Sequence, residues 1–173
     1  GRAGNVDRTS GEGQGTHPGN IDRALRADFS TRPYVARRQR LAVAHIEAER
    51  ELEVRTANVV WRDVDALRSD LLIDAHRALY GRLPEDDRRS PEGIAIAPGS
   101  VRVDDVTVGR HDAPAHGSLQ AFFERMDDTY PKLRGVDSLL CGIAAAHHRF
   151  AWVHPFVDGN GRACRLQTHC ALF

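Results

Sequence analysis

The sequence predicts an all-α fold carrying one short β-hairpin. Three observations predict it. From Tyr34 onward, apolar residues recur mostly at helical spacing. Only the stretch between Gly99 and Gly109 alternates with period two, through Val101, Val103, Val106 and Val108. The chain has 173 residues without an internal repeat, which fits a single domain with its own hydrophobic core.

The elements follow in order. Residues 1–20 contain six glycines and almost nothing large and apolar, so they read as disordered or a linker, and the boundary is set at residues 1–30. Leu41, Ala44, Ala48 and Leu52 form the stripe of a first helix. A second helix is expected after Asp63 as N-cap, with Val64, Leu67, Leu71, Ala75 and Leu79 inward, ending at Gly81 and Pro84. The β-branched alternation then gives two short strands within residues 101–108, with Asp104-Asp105 as their turn. Ser118 is the expected cap of a helix placing Leu119, Phe122 and Met126 on one face. The next helix runs from about Asp137 to Trp152, with Leu140, Ile143, Ala144, His147 and Ala151 buried. From Arg162 the pattern is helical to the last residue. No helix-ending signal follows, so further C-terminal structure is expected.

Acidic and basic residues number 24 each, so the net charge is zero and the basic excess of a general nucleic-acid binder is missing. Direct nucleic-acid binding is therefore not expected. Lys132 is the only lysine; the arginine bias carries no functional weight by itself. Cys141, Cys164 and Cys170 are odd in number and lack the two-residue spacing of zinc or redox motifs. Reduced, buried thiols in a reducing cytoplasm are the expectation. No stretch is long and apolar enough to span a bilayer, and no signal peptide is visible. The first residue is glycine, so the start of the protein is expected to be missing.

The chemistry-bearing stretch is His154-Pro155-Phe156-Val157-Asp158-Gly159-Asn160-Gly161-Arg162-Ala163-Cys164-Arg165. Gly159, Asn160 and Gly161 tolerate positive φ, so successive N–H groups can turn into one concavity just before a helix. The helix behind adds its own unpaired N–H groups and dipole. Arg162 and Arg165, three apart, can face one ligand, which suggests more than one phosphate. Asp158 brings a hard oxygen suited to Mg²⁺ shared with phosphates. His154 is a base that titrates near neutrality. A base, a cation and charge clamps are what phosphoryl or nucleotidyl transfer requires. A calcium loop centred on Gly159 would place His154 and Arg165 at ligand positions, which excludes it. Phe156 reads as the buried anchor of the loop.

This stretch resembles the signature of the Fic (Fido) family, His-x-Phe-x-Asp/Glu-Gly/Ala-Asn-Gly/Lys-Arg-x-x-Arg, and matches every fixed position. His147 and Phe150 resemble the family's His-x-x-Phe upstream of it. Gly99-x-x-Arg102-x-x-x-Val106-x-Val108 resembles its hairpin flap, and Asp74-Ala75-His76-x-x-Leu79-Tyr80 an earlier helix. The resemblance implies a Fic domain over residues 31–173 with a helical bundle and a flap. It implies that His154 deprotonates a target hydroxyl, that Asp158 holds Mg²⁺ or Mn²⁺, and that Gly159, Asn160 and Gly161 line an anion hole for the α-phosphate. Arg162 and Arg165 would bind the β- and γ-phosphates. Val101, Arg102, Val103, Val106, Thr107 and Val108 would hold a target segment by strand addition. His147 would be a packing residue.

Family members with lysine at the position of Gly161 resemble Doc-type kinases and transfer phosphate. Glycine there implies AMP transfer from ATP, as co-substrate, to a Ser, Thr or Tyr hydroxyl of a target protein. Transfer of another group, UMP, GMP or phosphate, and a weakly active nucleotide-binding regulatory module are the alternatives. The intact His154 favours the enzyme. The family's inhibitory segment, Ser/Thr-x-x-x-Glu-Gly/Asn, has no match here. Its nearest counterpart is Val43–Ala48, which makes Glu47 a candidate inhibitory residue that would pair with Arg165. Control by an inhibitory partner protein is the other candidate.

Overall fold

The computed structural model describes residues 17–57 and 66–172. Six α-helices and one two-stranded antiparallel sheet make up the described fold, as the helical periodicity predicts. No helix among the described residues is long and apolar enough to cross a membrane.

Helix α1 spans Pro18–Leu25, inside the segment expected to be linker. Proline at its start suits a position whose N–H has no helical partner. The His17 side chain accepts a hydrogen bond from Gly19 N. Gln39, fully buried, then ties this helix down. Its Nε2 donates to Asn20 O at 2.8 Å, and its Oε1 accepts from Ser30 N at 2.7 Å. That two-sided amide is why residues 18–25 are docked. Residues 1–16 lie outside the described residues.

Helix α2, Pro33–Ala57, buries Ala36, Ala44, Ala48 and Leu52. Alanines on this face let α2 approach the helices beneath it closely. Helix α3, Ser69–Gly81, begins later than its apolar stripe suggested. The expected cap Asp63 and Val64 lie outside the described residues, and Leu67 is buried in the turn before the helix. The carboxylate of Asp127, from helix α4 (Leu119–Thr129), accepts from both Ser69 N and Ser69 Oγ at 2.7 Å. A cap supplied by a distant residue satisfies the first-turn donors as well as a local one. Leu52, Leu72 and Leu79 are each fully buried at this junction. Each contributes about 1.5–3 kcal/mol relative to exposure.

The hairpin lies further along than expected. Strand β1, Thr107–Val108, pairs with β2, His111–Asp112, around Gly109-Arg110, with φ +61° at Gly109. Positive φ at the first turn residue matches the twist of a two-residue hairpin loop. The period-two signal was real, but Val101–Val103 does not pair as a strand. Arg102 between them is 4% exposed and directs its hydrogen bonds into the bundle. Asp104-Asp105 is not the hairpin turn: the chain bends at Val103-Asp104, and Asp105 accepts from His116 N at 2.7 Å.

Helix α4, Leu119–Thr129, buries Leu119, Phe123 and Met126; Phe122 is half-buried, edge-on to Trp152. Ser118 precedes it without capping it, because its hydroxyl donates to Ala115 O at 2.7 Å. Helix α5, Val136–Val153, is rotated from its expected face. Gly142, Ile143, Ala146, Phe150 and Val153 are buried, whereas Leu140 is 52% exposed and Ala144 is exposed. The heavy run of alanines left the apolar stripe ambiguous; Phe150 and Val153 decide it by size. Helix α6, Asn160–Leu172, packs against α2, α3 and α5. Cys164 and Cys170 are buried thiols, and burial pushes the Cys170 thiol up to about 11. Cys141 is exposed, unlike the expectation, because it lies on the outer face of α5.

Candidate active site

The site forms where α5 ends and α6 begins. His154 terminates α5 in the left-handed region, φ 52° and ψ 60°. A left-handed conformation is uncommon for histidine and is held only when the surroundings dictate it. Here Arg102 dictates it. Its Nε donates to His154 O at 2.8 Å, its backbone N donates to Pro155 O at 2.8 Å, and its guanidinium also meets the carbonyls of Asp104, Pro114 and Val153. His154 Nδ1 lies 3.3 Å from the Ala151 carbonyl. A carbonyl only accepts, so Nδ1 carries the proton and Nε2 is the basic nitrogen.

The loop after His154 is closed from inside. Phe156 is fully buried and stacks on His76, with ring centroids 4.0 Å apart. Asn160 is 2% exposed. Its Oδ1 accepts from Phe156 N and its Nδ2 donates to Phe156 O, both at 2.9 Å. The Asn160 side chain therefore fastens the loop and does not itself line an anion hole. Its backbone N–H stands with those of Gly161 and Arg162 before the helical ladder, whose first bond here runs from Ala163 N to Gly159 O at 2.9 Å. These N–H groups sit at the positive end of the α6 dipole. Gly159 adopts φ +78° at this entrance.

Asp158 and Arg162 meet one turn apart. Arg162 Nη2 lies 3.1 Å from Asp158 Oδ2, and Tyr80 bridges the pair. The Tyr80 hydroxyl donates to Asp158 Oδ2 at 3.0 Å and accepts from Arg162 Nη2 at 2.8 Å. Burial pushes the phenol up, so it remains a donor. His76 holds the other side of the loop. Gly99 N donates to His76 Nδ1 at 2.9 Å, so the proton is on Nε2, which faces the Asp158 carbonyl at 3.2 Å. Burial pushes the His76 imidazole down to about 4, so it is neutral here.

Arg165 is exposed on α6, near His45 of α2. Burial lowers the His45 imidazole; nearby Glu49 opposes this, and Arg165 and Arg162 reinforce it. The candidate inhibitory residue Glu47 lies elsewhere on α2. It is exposed and sits 3.6 Å from Arg82 Nε, and among the described residues no ion pair joins it to Arg165. His147 Nδ1 lies 2.8 Å from Thr168 Oγ1, so it bridges α5 and α6 as a packing residue.

Of the expected flap residues, Thr107 and Val108 are in the hairpin and exposed. Val101 and Val106 are half-buried, Val103 is 75% exposed, and Arg102 is a buried anchor. The hairpin is fastened beside His154. His111 Nε2 donates to Trp152 O at 2.8 Å, and the two rings lie 5.5 Å apart. Sequence reasoning did not assign roles at the site to His76, Tyr80 or His111. The first two were named only within the segment that resembles the family's earlier helix, and nothing in their spacing pointed to the loop at Asp158.

At this loop, metal-binding capacity rests on Asp158. Its Oδ2 is engaged by Tyr80 and Arg162, whereas no hydrogen bond or ion pair reaches Oδ1 among the described residues. One available hard oxygen beside a phosphate site fits Mg²⁺, which takes one or two carboxylates and shares phosphate oxygens.

A helix N-terminus beside a carboxylate–arginine pair, reached by a loop that begins at a left-handed histidine, has the chemistry to receive phosphate groups. The profile of the Fic/DOC family matches residues 66–172, and the chain belongs to that family. It is similar to the protein adenylyltransferase Fic of Drosophila melanogaster, 31% identical over 110 residues, covering 63% of this chain and 20% of that protein. The protein adenylyltransferase Fic of Drosophila willistoni is 30% identical over 102 residues, covering 58% of this chain and 18% of that protein. The chain thus spans about a fifth of the length of the curated relatives it matches.

Proposed function

We propose that the protein transfers AMP from ATP to a hydroxyl side chain of a target protein. What supports this is the run from His154 to Arg162: His154 ends α5 with Nδ1 toward the Ala151 carbonyl, which leaves Nε2 as its basic nitrogen, and the loop that follows leads to the Asp158–Arg162 pair at the start of α6. The target hydroxyl oxygen attacks the α-phosphorus and an O–P bond forms. The hydroxyl proton passes to His154 Nε2. The bond between the α-phosphorus and its bridging oxygen breaks, and pyrophosphate leaves. The N–H groups of Asn160, Gly161 and Arg162 stabilise the charge that develops on the α-phosphate oxygens. Arg162 and Arg165 orient the β- and γ-phosphates. Asp158 would hold Mg²⁺ through Oδ1, and the ion, when bound, offsets phosphate charge.

The exposed hairpin beside Trp152 supports recognition of an extended target segment by strand addition, with backbone hydrogen bonds setting its register. The names of the Drosophila relatives and Gly161 in place of lysine support AMP over phosphate as the group transferred. The protein is incubated with ATP labelled on the α- or the γ-phosphorus. Retention of α-label on protein is the expected result. Retention of γ-label would mean phosphate transfer, and retention of neither would mean a nucleotide-binding module.

A further inference from the structure

The geometry points to Tyr80 as a positioning residue that sets both the cation-binding oxygen of Asp158 and the phosphate-binding arm of Arg162. This deepens the proposed function and rests on it. One side chain from α3 touches three successive parts of the loop–helix junction. Its hydroxyl meets Asp158 Oδ2 at 3.0 Å and Arg162 Nη2 at 2.8 Å. The Arg162 guanidinium lies over its ring, 5.9 Å from the centroid. The ring also lies against Gly159 so closely that a Cβ there would fall 2.5 Å from Tyr80 Cε2. Tyr80 is 1% exposed, so it has little freedom to leave these partners.

The consequence lies in which oxygen is occupied. A carboxylate beside an arginine tends to offer both oxygens to the guanidinium fork. Here Tyr80 donates to Oδ2 and accepts from the same Nη2, forming a triangle with the ion pair. Oδ2 is committed to the protein, and Oδ1 is left for the cation. Without the hydroxyl, Asp158 and Arg162 keep their direct contact, but no other hydrogen bond among the described residues fixes the carboxylate plane. The carboxylate then competes with phosphate for the guanidinium and presents Oδ1 less well.

The test measures binding without chemistry. The probe is an ATP analogue with a methylene group between the α- and β-phosphorus, titrated calorimetrically with and without Mg²⁺. The quantity read is the factor by which Mg²⁺ tightens binding. Wild type shows a Mg²⁺-dependent gain, and Asp158→Asn loses it. Tyr80→Phe keeps the ring against Gly159 and reduces the gain about tenfold, the fold-change for one hydrogen bond to a charged group. A purely structural role would weaken both titrations alike and leave the gain intact. Wild-type gain in folded Tyr80→Phe, with loss in Asp158→Asn, overturns the role of Tyr80 alone. An intact gain in Asp158→Asn overturns the cation reading, and the proposal with it. Should Tyr80→Phe not fold, wild-type protein carrying 3-fluorotyrosine serves instead. Only Tyr34, Tyr80 and Tyr130 are present, so Tyr34→Phe and Tyr130→Phe assign the Tyr80 resonance. It shifts when Mg²⁺ is added to the analogue complex; an unmoved resonance overturns the proposal.

Discussion

Arg102 Nε donates to the carbonyl oxygen of His154 at 2.8 Å, joining residues 52 apart in sequence. The arginine side chain is 1% exposed, and burial lowers its pKa, yet it is held by a ring of carbonyl oxygens. The strand-like segment 101–103 thereby becomes the brace of His154. Arg102→Lys, which cannot fork, should cost about 3 kcal/mol or more of stability. It should also lower transfer, because His154 would lose its imposed left-handed conformation. Urea denaturation alongside a labelling assay checks both; wild-type values for both would remove Arg102 from the account.

Gly159→Ala should damage the site from two directions. Its φ of +78° disfavours any L side chain, and the added Cβ would run into the Tyr80 ring. The expected cost is about 2 kcal/mol, with weaker binding of the ATP analogue because the first N–H groups of α6 shift. Thermal melting and calorimetry measure the two effects. A variant with wild-type stability and affinity would show that the loop relaxes freely.

His76 gives a pH dependence of stability. Its folded pKa is depressed from 6.5 to about 4 by burial. Between those values the unfolded chain binds the proton and the folded chain does not, so stability rises with pH across that window. The contribution is full above about pH 6.5, is lost as pH falls toward 4, and is at most about 3 kcal/mol. Imidazole resonances followed by NMR should include one with a midpoint near 4 that vanishes in His76→Gln. A His76 midpoint near 6.5 would contradict this.

Much of this was legible in the sequence. The His154–Arg165 stretch carried its candidate chemistry in residue types and spacing, and the structure pairs Asp158 with Arg162 at the start of α6 while His154 ends α5. Helix α2 was legible because Leu41, Ala44, Ala48 and Leu52 keep one face. Apart from the alanine-blurred face of α5, the misplaced elements share a cause: long-range partners. The α3 start depends on Asp127 from α4, and the displaced hairpin depends on Arg102 reaching His154. The role of the Asn160 side chain, which fastens Phe156 N and O, was not legible, because the sequence reading concerned its backbone N–H alone. Periodicity reports faces, and it is silent about which polar side chain meets which carbonyl.

Glu47→Gly should leave auto-labelling unchanged. Glu47 faces Arg82 on the α3 side of α2, exposed to solvent, where a surface ion pair is worth about 0–1 kcal/mol. Side-by-side labelling at matched ATP and Mg²⁺ decides it. A clear rise in labelling would make Glu47 an inhibitory residue after all.

The most direct measurement compares wild type and His154→Ala for transfer of α-labelled AMP to protein, with binding of the ATP analogue followed in parallel. In the proposed reaction the base acts on the attacking hydroxyl, apart from Arg162, Arg165 and the α6 N–H groups that would hold phosphate. The account predicts a transfer rate lower by about 10²–10⁴-fold with analogue affinity little changed. Equal transfer rates in the two proteins would contradict it.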